Sequence, residues 1–171
     1  HNVRFGDTHR LSWGGGYRNA SDRVDNGPAF GFLPGDVRLH WANLFAQDEI
    51  SLSEDLKATV GLKLERNHYT GLEHLPNLRL AWTPGARHLV WGSLARSVRA
   101  PSRIDRDLYA PTQPPVLGGV PQFAIAGGPD FVSEVVKVAE LGYRSQMTDT
   151  FSYSLTAFRG DYDRLRTFEP R

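Results

Sequence analysis

From Leu56 to Glu65 the chain alternates between apolar and polar residues without a break. Leu56, Ala58, Val60, Leu62 and Leu64 form one set, and Lys57, Thr59, Gly61, Lys63 and Glu65 the other. A helical period would mix the two sets, whereas a period of two separates them completely. The segment is therefore a β-strand with one apolar and one polar face. Related patterning predicts seven strands, at about 7–18, 38–52, 56–68, 76–83, 88–99, 134–145 and 150–163. The expected fold class is all-β, an antiparallel up-and-down meander.

The connections constrain the fold further. Ser53–Asp55, Pro84–Arg87 and Gln146–Asp149 are short and turn-like. Between them lie a long connection (Asn19 to Val37), a medium one (Tyr69 to Leu75) and a very long one (Ala100 to Ser133). In a meander this alternation gathers the tight turns at one end and the loops at the other. Transmembrane β-barrels have that asymmetry. A soluble meander barrel with its apolar faces turned inward has the same periodicity. A 34-residue loop is unusual in such a compact domain, however. The loop holds six of the chain's eleven prolines and two glycine pairs, so long strands are not expected across it.

Pairing across Ser53–Asp55 sets Leu52 against Leu56, Ile50 against Ala58, Ala46 against Leu62 and Leu44 against Leu64. That register puts Asp48 on the apolar face opposite Val60, which is costly in the middle of a bilayer. Either Asp48 lies near an interface or the register shifts.

Bulk properties exclude several classes. Lys plus Arg is 20 and Asp plus Glu is 19, so nothing points to nucleic acid as a partner. There are no cysteines, hence no disulfide framework and no thiolate metal site. No apolar run reaches the roughly 18 residues of a membrane-spanning helix, which says nothing about spanning strands. No signal peptide is visible, and both termini read as cuts in a longer protein.

Four stretches carry a family resemblance. Asn43-Leu44-Phe45-Ala46-Gln47-Asp48-Glu49 resembles the "FxQDE" strand of TonB-dependent outer-membrane receptors. The segment Ser93 to Ser102 is similar to the strand end of that family that passes into a large extracellular loop. Gly128 to Glu134, followed by Ala139 to Arg144, is similar to the returning strand, and Ala157 to Leu165 to the next one, "FxxDYxxL". The order matches the family's across about 43–165, while residues 1–42 carry no such motif. The resemblance implies a bacterial outer-membrane receptor. Such a receptor binds a scarce nutrient, such as a ferric siderophore, haem or cobalamin, and imports it with TonB-supplied energy. Its implied partners are outer-membrane lipid, the TonB complex through other parts of the protein, and the metal chelate or other small nutrient. Such barrels have about 22 strands around a plugged lumen. Residues 1–171 would then be a partial barrel domain, about a third of the wall, with the plug outside it.

Candidate ligand-binding residues are Arg99, Arg103 and Arg106, with Asp105 and Asp107 among them. Guanidinium forks suit an anionic chelate. The competing role is bracing, with the arginines paired to those aspartates. His68 and His74 flank the medium loop and suggest haem ligation only weakly. Trp82, Trp91, Phe151 and Tyr153 near the tight turns fit a membrane-interface girdle or a soluble core. No catalytic motif is present, and Asp161 with Asp163 reads as lining of a lumen wall. No enzyme activity, metal site or cofactor is expected. The alternatives are a soluble small-ligand-binding barrel and a structural or adhesive outer-membrane barrel.

Overall fold

The computed structural model describes residues 1–167. Eight strands form one sheet: β1 (Asn2–Phe5), β2 (His9–Arg23), β4 (Asp36–Ser51), β5 (Leu56–Asn67), β6 (Gly71–Trp82), β7 (His88–Arg99), β10 (Glu134–Gln146) and β11 (Ser152–Asp163). They lie in chain order, and every neighbouring pair is antiparallel. The sheet is open, with β1 and β11 at its edges. A smaller sheet joins β3 (Gly31–Phe32), β8 (Leu108–Leu117) and β9 (Val120–Ala126), preceded by a one-turn helix α1 (Arg103–Asp107).

The seven predicted strands are present, and the three predicted turns lie together at one end of the sheet. A further turn at Gly6 to Thr8 joins them, with Gly6 at φ 59°. It follows β1, a strand too short for periodicity to reveal. The medium loop contracts to residues 68–70, because β6 begins at Gly71. Asn67 explains the tightness. Its side-chain oxygen accepts from the backbone N–H groups of Tyr69 (2.9 Å) and Thr70 (2.8 Å), and Gly71 takes φ 77°.

The register is the predicted one. Leu44 pairs with Leu64, Ala46 with Leu62, Asp48 with Val60 and Ile50 with Ala58. Asp48 is accommodated by a partner: His9 Nδ1 lies 2.6 Å from its carboxylate, three residues from the tight-turn end of β4. No register shift is needed.

The two faces of the sheet differ in their cover. On the apolar face Leu44 (67%), Leu94 (57%), Leu141 (61%) and Leu155 (65%) are exposed. On the polar face of β5, Gly61 and Asn67 are buried and Thr59, Lys63 and Glu65 half-buried. A soluble barrel would reverse this arrangement. Each large apolar side chain left in water forgoes roughly 1.5–3 kcal/mol. A face that carries many of them therefore requires an apolar surround.

Trp82, Tyr143 and Tyr153 share the apolar face near the tight turns, as a girdle requires, and the two tyrosine rings meet at 5.8 Å. Trp91 does not belong to that girdle. It pairs with Gly142 on the opposite face and lies across it. Asp161 also differs from expectation. It pairs across strands with Lys137, in the outward row that contains Leu141 and Ala139, so it does not line the polar face.

The long loop is more regular than its prolines suggest. The β8–β9 ladder breaks at Pro111 and resumes at Val116, so Pro114 and Pro115 fall where no ladder bond is needed. Gly118 (φ 58°) and Gly119 (φ 81°) then supply the hairpin turn.

Candidate functional site

The loop end of the sheet is held by one connected polar cluster. β7 ends at Arg99, and Ser102 caps α1. The Ser102 hydroxyl accepts from the Asp105 N–H (3.3 Å), while the Asp105 carboxylate accepts from the Ser102 N–H (2.8 Å) and hydroxyl (2.8 Å). This reciprocal cap satisfies donors at both ends of the turn. The Asp105 side chain is 1% exposed, and it also meets Arg99 at 3.5 Å and Arg166. Burial alone would raise its pKa. The Ser102 bonds and the two guanidinium groups outweigh that and hold it below the usual carboxylate range.

Arg103 is buried. It donates to Asp22 (2.6 Å) and to the Gly35 carbonyl (2.6 Å), meets Asp107 at 3.5 Å, and stacks over Phe32 at 4.7 Å. It thereby ties the long loop to the connection between β2 and β4. Arg106 donates to the carbonyls of Pro129 (2.8 Å) and Phe131 (2.9 Å) and sits over the Tyr69 ring at 5.4 Å. Tyr69 donates to Asp107 at 2.8 Å, and burial together with that carboxylate pushes its phenol pKa up. Thr70 and Ser133 hydroxyls meet at 2.9 Å, and Arg99 reaches Glu134 at 2.9 Å.

Arg99, Arg103 and Arg106 are thus brought together, and every one has protein partners that brace the loop. They differ in access. Arg103 is sealed in, whereas the Arg99 side chain remains 54% exposed. Arg99 borders a cavity of about 300 Å³ whose lining includes Asp105, Phe131, Glu134 and Arg164. Sequence reading missed Tyr69, Ser102, Ser133, Arg164 and Arg166. Only Ser102 had a local signal, the Ser-x-x-Asp spacing of a helix cap. The others reach the cluster through pairing between strands distant in sequence.

The histidines are dispersed. His40 and His68 rings meet edge-on at 4.9 Å, His9 serves Asp48, and His88 Nδ1 lies 2.9 Å from the Tyr143 hydroxyl. Among the described residues no group of three or more His, Asp or Glu side chains is placed to hold a metal ion.

An open meander of long strands, lipid-type outward rows and loops gathered at one end matches one family over its whole length. The family "TonB dependent receptor-like, beta-barrel" covers residues 1–171. The chain belongs to this family. Its setting is the Gram-negative outer membrane, where this receptor family resides.

Three solved receptors resemble the chain. The siderophore receptor PirA from Pseudomonas aeruginosa superposes with a TM-score of 0.74 at 21% identity, covering 94% of this chain and 29% of that one. A mutant ferric enterobactin receptor PfeA from Pseudomonas aeruginosa, in complex with enterobactin, gives 0.71 at 23% identity, covering 94% and 25%. The siderophore receptor PirA from Acinetobacter baumannii gives 0.72 at 16% identity, covering 94% and 25%. This chain therefore spans between a quarter and a third of the receptors it resembles. At these identities the likeness is one of fold. No curated protein matches it in sequence.

Proposed function

We propose that this receptor chain is a wall-and-loop segment of a barrel that binds a ferric siderophore outside the cell and imports it with TonB-supplied energy. The observation that carries the reading is the sorting of the open sheet. Apolar rows face outward, polar side chains face the opposite side, and a braced, regular loop stands at the end away from the tight turns. The names of the solved receptors, which are siderophore receptors, support the choice of ligand. Binding and passage, not catalysis, are the work of such a wall.

Within the loop base, Arg99 is the cation placed to meet an anionic chelate, since its guanidinium stays half exposed beside a cavity. Arg103 and Arg106 act as positioning residues that set the loop's height and angle. The test is growth of a gene-deletion strain under iron depletion, with ferric siderophores as the sole iron source. Complementation with the full-length gene should restore growth on at least one siderophore, and a gene lacking residues 108–126 should not. A deletion strain that grows like its parent on every siderophore supplied contradicts the proposal. In the full-length receptor, Arg99→Gln should weaken chelate binding most at low salt, because attraction between exposed charges is screened.

A further inference from the structure

The hairpin of β8 and β9 with its flanks, residues 108–129, holds none of the chain's 20 Lys and Arg, 19 Asp and Glu or 6 His residues. The chain as a whole is 23% charged, so an uncharged stretch of this length departs from its own composition. Burial does not account for it. Val116, Leu117, Val120, Phe123 and Ile125 are all exposed. An apolar surface of this size at the loop end marks contact with something other than water. The ladder gives the surface its shape. Leu117 pairs with Val120 across the glycine turn, and Phe123 pairs with Pro111. The Phe123 ring meets Tyr109 edge to face at 5.3 Å. Gln113, exposed on the same hairpin, offers an uncharged amide donor.

The loop base at its foot has no surplus of positive charge. Arg99, Arg103, Arg164 and Arg166 stand in ion pairs with five carboxylates, those of Asp22, Asp105, Asp107, Glu134 and Asp163. Arg106 brings the guanidinium groups to the same number, and Asp130 adds a carboxylate to the cavity beside Arg99. Arg99 is half exposed and can meet one pendant carboxylate. A ligand with several negative charges would lose hydration against the hairpin and find no matching cations there.

We propose that the β8–β9 hairpin selects ferric chelates whose metal centre is electrically neutral and whose outer surface is apolar. Three hydroxamates around one ferric ion form such a centre, whereas three catecholates leave it triply anionic. The chelate's aliphatic surface lies on Leu117, Val120 and Phe123, and the Gln113 amide donates to a hydroxamate oxygen. Arg99 is left for at most one carboxylate substituent. Apolar contact with a few orienting polar groups is how small-molecule sites generally work. The inference rests on the siderophore reading above and narrows it to a charge class.

The experiment titrates the full-length receptor, in non-ionic detergent, with four ferric chelates and reads quenching of tryptophan fluorescence. Ferrichrome and ferrioxamine E are neutral tris-hydroxamates. Ferrichrome A keeps the hydroxamate core but carries three carboxylates, and ferric enterobactin is a triply anionic tris-catecholate. One of the neutral chelates should bind about tenfold more tightly than either anion. Leu117→Ala/Phe123→Ala should lose about tenfold in affinity for it, as apolar contact is removed. Val120→Lys should narrow the gap between the neutral chelate and the anions. Glu54→Gln, in a tight turn at the far end of the sheet, should bind like the parent. Heat-modifiability on gels verifies that each variant is a folded barrel. Equal or tighter binding of a triply anionic chelate by the parent overturns this inference alone and leaves the siderophore reading standing. Binding of none of the four overturns both. Parental affinity in the folded double variant removes the hairpin from the site and overturns the inference as well.

Discussion

Removing the Asp105 carboxylate should open the long loop while leaving the barrel wall intact. Asp105 is 1% exposed and answers Ser102, Arg99 and Arg166 at once. Losing a helix cap costs about 1 kcal/mol. Breaking a buried ion pair from one side costs about 3–5 kcal/mol. Arg99 is half exposed, so its share is small, and a total of about 3 kcal/mol for Asp105→Ala is the reasoned value. If cleavage is slow relative to reclosing, proteolysis tracks the open population, so that cost corresponds to about a hundredfold faster cutting. The assay is limited trypsin digestion of the full-length receptor in detergent, followed at Arg99, Arg103 and Arg106. Asp105→Asn keeps an acceptor for the Ser102 N–H and should fall between the variant and the parent. An Asp105→Ala receptor cleaved at the parental rate would refute the claim that this carboxylate holds the loop.

Three further outcomes follow from the same geometry. The Asp105 pKa is depressed in the folded state, so its contribution is present above the ordinary carboxylate range and is lost as pH falls through the lower, folded value. The protection of residues 100–107 against hydrogen exchange, taken relative to the intrinsic rate at each pH, should therefore hold near pH 5 and fall only at more acid pH. Gly142→Ala should lower the barrel's unfolding free energy by about 1–3 kcal/mol, because the new Cβ would stand 2.2 Å from the Trp91 ring. Gly142→Ala/Trp91→Leu should recover part of that loss in the same urea titration. Leu62→Arg places a charge on the outward face and should destabilise the folded barrel in lipid vesicles by about 2–4 kcal/mol, whereas Lys63→Arg should change it little.

Much of this fold was legible because strand periodicity depends on nearest neighbours alone. Leu56 to Glu65 fixed a face, a short turn fixed the register, and Asp48 fell opposite Val60 as the alternation required. Features that depend on distant partners were not legible. His9 partners one oxygen of Asp48 from a different strand. Pro114 and Pro115 argued against strands, yet they sit where the β8–β9 ladder is already broken. The Asn67 side chain shortened a loop that composition alone made look longer. At the loop base, charge spacing brought out Arg99, Arg103 and Arg106 with the aspartates between them. Which arginine is sealed and which is open depends on Asp22, Phe32 and Glu134, each on a separate segment.

The central claim is that the apolar rows of this sheet meet lipid. These 171 residues contain no cysteine, so single cysteines can be placed along β5 without background from this segment. Spin labels at positions 59 to 64 of the full-length receptor in lipid vesicles would be read by collision with oxygen and with a water-soluble nickel chelate. The account predicts strict alternation, with labels at Val60, Leu62 and Leu64 oxygen-accessible and shielded from nickel, and labels at Thr59, Gly61 and Lys63 shielded from oxygen. Loss of the alternation, or its inversion, would contradict the account.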